Sequence, residues 1–398
     1  MTATLQEASE RKPDGFDLRL SVLIGMLFVP NAVYLAFFPL WLKDSGFSSV
    51  EISTLLSTPV LIRILATPPV TFYADRSPER AYVMFAISAM SFVLSLFLFA
   101  DLAFLGILVL MSLLSAFWSP QVPLADSIAL SGVRRYGVDY ASLRVWGSVA
   151  FLAVNIGAGF VVQYFGSGAV PPMIVFGFLA ILIASVATPR LGRRRRLSDA
   201  GVMATGSQSL RRPAVLMFLV ATGLIQGSHG YLYSFGSIYW KDSGISAQMV
   251  GFLWAVPVFA EIVLFKSYRR IFGNAKPEVI LLVAGGLSVV RWLMFPVIGD
   301  LGLGFAGFFV VQLLHAFSFG ATYLAQQAYL AHAVPEEQAG SAQGLAVFIH
   351  GIIMSATMFI SGPLYDLTHG KGFIVMAFVA LGGIGLGYWF ARLHAKEA

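Results

Sequence analysis

Eight ionisable side chains lie inside, or at the edge of, long apolar stretches of this 398-residue chain: Arg63, Asp126, Arg144, His229, Glu261, Arg291, His315 and His350. In hydrocarbon such groups are costly, so they turn toward protein, pair with one another and mark routes for protons or charged ligands. Glu261 is the sharpest. It stands about two thirds of the way through an apolar run and shares a helical stripe with Trp254 and Pro257 at spacings of i, i+3 and i+7. Burial raises a carboxylate's pKa and a neighbouring arginine lowers it, so a carboxylate that alternates between two such settings can bind and release a proton. The competing reading of Glu261 is a static ion pair that locks two helices together.

Asp126 shares a face with Trp118 and Val122, beside Gln121, in a segment disturbed by Pro120 and Pro123. Arg144 opens a stripe with Ser148 and Asn155. Either these two charges pair, or Asp126 sits near a membrane boundary with Arg144 an ordinary boundary cation; Arg144 could also pair with Glu261. Gln226, His229, Gly230 and Tyr233 follow the i, i+3, i+4, i+7 pattern, and His315 has Phe319 one turn on. A lone membrane histidine is often no more than a hydrogen bond between helices, so each is either a site residue or a packing contact. Arg63 suits bidentate capture of a carboxylate.

These residues need a bilayer-spanning scaffold. The chain is 58% hydrophobic and 12% charged, against about 45–50% and about 25% in soluble domains. Its 26 basic and 20 acidic residues cannot cover the surface of a soluble protein this long. Apolar runs long enough to cross a bilayer fall at about 20–42, 50–72, 80–100, 103–124, 142–165, 169–188, 213–239, 246–267, 277–299, 302–330, 340–362 and 372–392. The expectation is an all-α membrane protein of twelve spans: a segment 1–19, a first half 20–188, a linker 189–213, a second half 214–392 and a tail 393–398. An even count puts both termini on one side. With the termini cytoplasmic, 21 Lys and Arg fall inside, three (Lys43, Lys241, Lys371) fall outside and two (Arg63, Arg291) lie mid-helix, which sets that orientation. The N-terminal segment shows no clear cleavage site, so the first helix is expected to be retained.

The absence of cysteine excludes disulfides, thiolate metal sites and cysteine nucleophiles. Six scattered histidines form no metal-ligand cluster, and no phosphate-binding loop, His-Glu-x-x-His or Gly-x-Ser-x-Gly is present. No enzyme activity, metal or cofactor is therefore expected. Arg193–Arg196 reads as a topology signal that also suits anionic lipid; without a recognition module it is a poor nucleic-acid site.

The two halves are related. Trp41-Leu42-Lys43-Asp44-Ser45-Gly46-Phe47-Ser48 recurs 198 residues later as Tyr239-Trp240-Lys241-Asp242-Ser243-Gly244-Ile245-Ser246, and the same offset aligns Pro59 with Pro257 and Arg63 with Glu261. An offset near 200 aligns Ser115-Ala116-Phe117 with His315-Ala316-Phe317 and Asp126 with Gln326. Matching sequence at matching topological positions is a parallel repeat. This pattern resembles the major facilitator superfamily, whose loop signature Gly-x-Leu-Ala-Asp-Arg-x-Gly-Arg-Lys survives in part as Thr71-Phe72-Tyr73-Ala74-Asp75-Arg76-Ser77-Pro78-Glu79-Arg80, with Thr71 and Pro78 replacing both glycines. Tyr136 to Ser148, Val258-Phe259-Ala260-Glu261 and Gln312 to Gly320 resemble the fifth, eighth and tenth helices of 3-phenylpropionate-type permeases, which are similar to the lactose-permease group of proton symporters.

The resemblance implies a midplane site between the halves and alternating access. It carries proton coupling onto Glu261, Asp126 and His315. Substrate contact is implied for Arg144, Arg63, Gln121, Asn31, Trp118, Gln226, His229 and Trp254, and a cytoplasmic gate for Asp75 and Arg76. Arg291, on a helix peripheral in that fold, is expected to be structural. The expected partners are a small-molecule substrate, protons and the bilayer, for a monomer in the cell (inner) membrane. The expected function is proton symport of a small organic anion, an aromatic carboxylate among the candidates. Sugar or nucleoside symport, drug–proton antiport and ligand sensing without transport are the alternatives. A sensor would often carry a signalling domain, for which termini of about 19 and 6 residues leave no room.

Overall fold

The computed structural model describes residues 12–192, 210–335 and 338–397, with side chains to residue 392. The Arg193–Arg196 run, most of the expected linker and residues 1–11 lie outside them. The described residues form helices joined by short turns, with no strand among them. Eleven of their helices are long and apolar enough to cross a membrane: α1 (Phe16–Asp44), α2 (Ser49–Arg76), α3 (Arg80–Phe99), α4 (Phe104–Tyr136), α5 (Tyr140–Phe165), α6 (Ser167–Val186), α7 (Pro213–Asp242), α8 (Ala247–Ile271), α9 (Pro277–Asp300), α10 (Gly304–Ala333) and a stretch Ala339–Arg392. This last stretch turns at His369–Lys371, giving α11 (Ala339–Thr368) and α12 (Gly372–Glu397).

Helix α4 runs twelve residues beyond its expected end at 124, and Asp126 lies well inside it. Pro120 and Pro123 cannot donate to the carbonyls one turn back, so the chain yields at Ser119–Pro120 and restarts as Gln121–Tyr136. Helix α7 breaks at Ser228–His229. Side chains take up the carbonyls around this break: Thr357 donates to Gly227 O (2.7 Å), Ser228 to Ile225 O (2.6 Å), and His229 Nδ1 lies 3.0 Å from Gln226 O. Helix α10 loosens into a wide turn at Ala316–Ala321, just after His315. Non-helical backbone survives at membrane depth where protein satisfies it, and such wide turns recur at functional sites.

Within α1–α6, α1 packs on α5 and α6, and α2 on α4; within α7–α12, α12 packs on α7 and α9, and α11 on α7. Two broad contacts join the sets: α2 with α11, and α5 with α8. Both rest on close backbone approach. A Cβ on Gly362 would lie 2.2 Å from Ser53 Oγ and 2.6 Å from Ser49 O; one on Gly251 would lie 2.3 Å from Asn155 O. Helices that no hydrophobic effect drives together in lipid associate through such small-residue contacts.

The turns after α1 and α7 share one conformation. Ser45 and Ser243 cap the helices, Gly46 (φ +90°) and Gly244 (φ +81°) take the left-handed region, and Phe47 N and Ile245 N donate back to Leu42 O and Trp240 O. Each is a Schellman-type stop, and Ser48 and Ser246 then cap α2 and α8.

Gly230 is the tightest point of the α7–α11 crossing, where a Cβ would stand 2.2 Å from Thr357 Oγ1 and 2.9 Å from Met358 N. Gly230→Val is expected to cost about 1–3 kcal/mol, read as a lower thermal midpoint in detergent. Gly286→Ala, with nothing within 4 Å of the new methyl, should leave the midpoint in place.

Candidate functional site

Three groups of charge lie within the bundle. The first joins α7, α8, α9 and α10. Glu261 Oε1 lies 3.3 Å from His315 Nε2, with side chains 19% and 10% exposed, a close approach without hydrogen-bond alignment. Arg291 is fully buried beside them. Its Nη1 donates to Ser318 Oγ (3.2 Å) and its Nη2 to Gln312 Oε1 (2.6 Å), while Gln312 Nε2 donates to Leu253 O (2.8 Å). The guanidinium stacks 4.4 Å from the centre of the Trp292 ring and lies within electrostatic reach of Glu261. Ser318 also meets His229 Nε2 (3.1 Å), and the His229 ring lies edge-on to His315 at 5.1 Å, with Phe319 stacked on His315 at 5.3 Å. Gly320 leaves room for the Glu261 stem, its absent Cβ being 3.4 Å from Glu261 Cγ.

The second group joins α4 and α5. Asp126 Oδ1 accepts from Tyr140 OH (3.0 Å) and lies 3.9 Å from Arg144 Nε. Arg144 in turn lies over the Phe28 ring of α1 at 4.6 Å. Of the pairings left open for Arg144, the one with Asp126 forms; Glu261 belongs with His315 and Arg291.

Arg63 is the third. It is exposed although it sits near the middle of α2, and its electrostatic neighbours are Tyr34 of α1 and Tyr233 of α7. It therefore looks onto the space between the two helix sets. Tyr34 and Trp118 pack edge to face at 5.5 Å, and Tyr233 lies 6.0 Å from Trp254. Asn31 is half-buried on α1, one turn before Tyr34.

Several expected site residues sit elsewhere. Gln121 is fully buried against α3, donating to Ser91 Oγ (2.9 Å) and Phe117 O (3.2 Å), because the chain restarts at Pro120 with this side chain turned outward from the centre. Trp254 is 4% exposed and spends its indole N–H on Ser237 Oγ (2.7 Å). Gln226 is buried and holds His350, which also meets Thr222. Asp75 pairs with Arg80 (2.8 Å), which reaches on to Ser131 of α4, while Arg76 lies over Phe72. The gate expected of Asp75 and Arg76 is thus, for Asp75, a bond between the ends of α2, α3 and α4. Arg291, expected to be structural, is built into the Glu261 group. The signal for it was the polar series Gln312, His315, Ser318 on one face of α10, which calls for a charged partner across from it.

The matches to known proteins agree with this architecture. Residues 18–375 match the MFS_1 like family. The chain is 31% identical over 367 residues to the "Probable 3-phenylpropionic acid transporter" of Escherichia coli (strain K12), spanning 89% of this chain and 92% of that one. It is 26% identical over 274 residues to the "Maltose permease" of Geobacillus stearothermophilus, spanning 68% and 67%. The crystal structure of the nucleoside transporter NupG superposes with a TM-score of 0.77 at 14% identity, covering 95% of this chain and 99% of that one, a likeness of fold. The chain belongs to the MFS_1 like family and is a multi-pass membrane transporter of the major facilitator type.

Removing the Arg291 guanidinium takes from Gln312 and Ser318 the buried charged donor that both accept from. Arg291→Met is expected to cost about 3–5 kcal/mol and to cut the yield of folded protein. Ser318→Ala, which removes one neutral partner, should cost about 1–3 kcal/mol. Thermal midpoints of the purified variants check the order.

Proposed function

We propose that this chain is a secondary active transporter that couples proton movement to symport of a small organic anion, an aromatic carboxylate of the phenylpropionate type first among them. In this reading it crosses the inner membrane twelve times as two six-helix halves, α1–α6 and α7–α12. Both termini are cytoplasmic, in keeping with the bias of 21 to three in Lys and Arg, and a single chain is the working unit. The observation that carries it is the Glu261–His315 pair backed by Arg291. A partly exposed carboxylate 3.3 Å from an imidazole and within reach of a buried cation can trade a proton for an ionic contact.

The residues divide the work. Glu261 binds the proton, His315 is its neighbour on the proton path, and Arg291 holds the ionised carboxylate in place. Arg63, exposed at membrane depth, takes the substrate carboxylate bidentately, with Tyr34, Trp118 and Tyr233 flanking the rest of the molecule. Asp126 and Arg144, tied to each other, act at the α4–α5 side of the same space. The 31% identical relative named for 3-phenylpropionic acid supports the substrate class; the maltose permease relative supports a sugar as the second reading.

Proteoliposomes carrying a pH dye separate these readings. An aromatic acid should draw protons inward beyond the leak of empty liposomes. Glu261→Gln should abolish accumulation while substrate exchange persists, and Arg63→Gln should raise the half-saturation concentration about tenfold or more. A response confined to sugars, or a Glu261→Gln protein that still accumulates substrate against a gradient, overturns the anion–proton reading.

A further inference from the structure

The repeated Lys-Asp dipeptides that end α1 and α7 face each other across the mouth opposite the termini. Lys43 Nζ lies 2.8 and 2.9 Å from the two carboxylate oxygens of Asp242, and Lys241 Nζ lies 3.3 Å from Asp44 Oδ2. The exchange is reciprocal: the lysine of each loop binds the aspartate of the other. Identical surfaces that meet about a two-fold axis touch residue i to j and j to i. A Lys-Asp pair in each loop therefore makes two attractive contacts there. Further donors reach each carboxylate: Tyr365 OH to Asp242 Oδ2 (2.9 Å) and Ser167 Oγ to Asp44 Oδ2 (2.6 Å). The glycine-closed turns hold both loops in one rigid conformation.

All four charges are 41–48% exposed at the side chain. Exposed pairs contribute little to fold stability; a small term of this kind is suited to biasing two states of similar energy. Behind the loops the α2–α11 seam is shut. Ser53 and Ser49 meet Gly362, Ser57 O accepts from Ser355 Oγ (3.0 Å), and Ile64 fills the place beside Gly351. The seam is closed on the Lys-Asp side.

We propose that Lys43–Asp242 and Lys241–Asp44 form a reciprocal ion-pair latch that holds this mouth closed and is broken and remade in each transport cycle. The inference rests on the alternating-access reading. Its test reads mouth opening without substrate, so that failure of the latch and failure of the transport reading are told apart.

The chain lacks cysteine, so Ser57→Cys alone places a thiol in the seam at a position 2% exposed. Alkylation of the purified protein by a sulfonated maleimide then reports opening. Adding Lys43→Asp or Asp242→Lys should speed labelling about tenfold, and the combination Lys43→Asp/Asp242→Lys, which restores opposite charges, should return it to within about twofold of the parent. Raising salt from about 0.05 to 0.5 M should speed the parent as well, because exposed pairs are screened. If a single reversal fails to fold, the salt series on the parent decides. Labelling insensitive to salt, or a charge-swapped double variant as fast as the singles, overturns the latch.

Discussion

A guanidinium sealed from water must be matched by neighbouring groups, and Arg291 is sealed completely. Ser318 and Gln312 accept two of its donors, Trp292 offers a ring face, and Nε has no hydrogen-bond partner. Glu261 is the acidic group within its electrostatic reach. Because an unsatisfied buried cation is costly, α9 and α10 are held together through Arg291, Gln312 and Ser318, and Gln312 ties on α8 through Leu253 O. His229 lies against Ser318 Oγ, which Arg291 also holds, and the His315 ring packs in turn on His229.

That arrangement also needs broken helices. A continuous α10 would hold His315 and Ser318 at ordinary helical spacing; the wide turn that follows His315 shifts the polar face relative to the apolar one. The break in α7 places His229 at the junction, with Ser228 free to accept from Trp292 Nε1 (2.8 Å). The break in α7 uncouples backbone donors and acceptors, and Thr357 of α11 reaches across to Gly227 O there, while within α10 Thr322 donates to Ser318 O. The irregular backbone is thus concentrated where polar chemistry is, and the regular backbone where lipid is met.

Much of this was legible in order. The apolar runs, the polar stretch after residue 188 and the Lys-Asp repeats are all linear features, and the helices lie where hydropathy puts them to within a few residues, α4 excepted. Glu261 and His315 stood out because a charge in an apolar run needs a reason. For Arg291 the run shows only a lone cation on α9, and nothing local says which helix lies opposite. Gln121 and Trp254, expected to contact substrate, are buried instead for a related reason: helical periodicity places residues on a shared face, yet a face can look toward the centre or toward a neighbouring helix, and only packing distinguishes them.

Read alone, the sequence marks the chain as a multi-span helical membrane protein with a repeated Lys-Asp turn and a few costly internal charges. The reason is that hydrocarbon imposes length, helicity and low polarity on each span separately, so these constraints are read one segment at a time. Which charges meet was decided by tertiary structure alone. Glu261 meets His315 of a different helix, Lys43 and Asp242 lie 199 positions apart, and their partnership depends on helix crossings set by glycine contacts and broken turns, in which residues remote in the chain share one small volume.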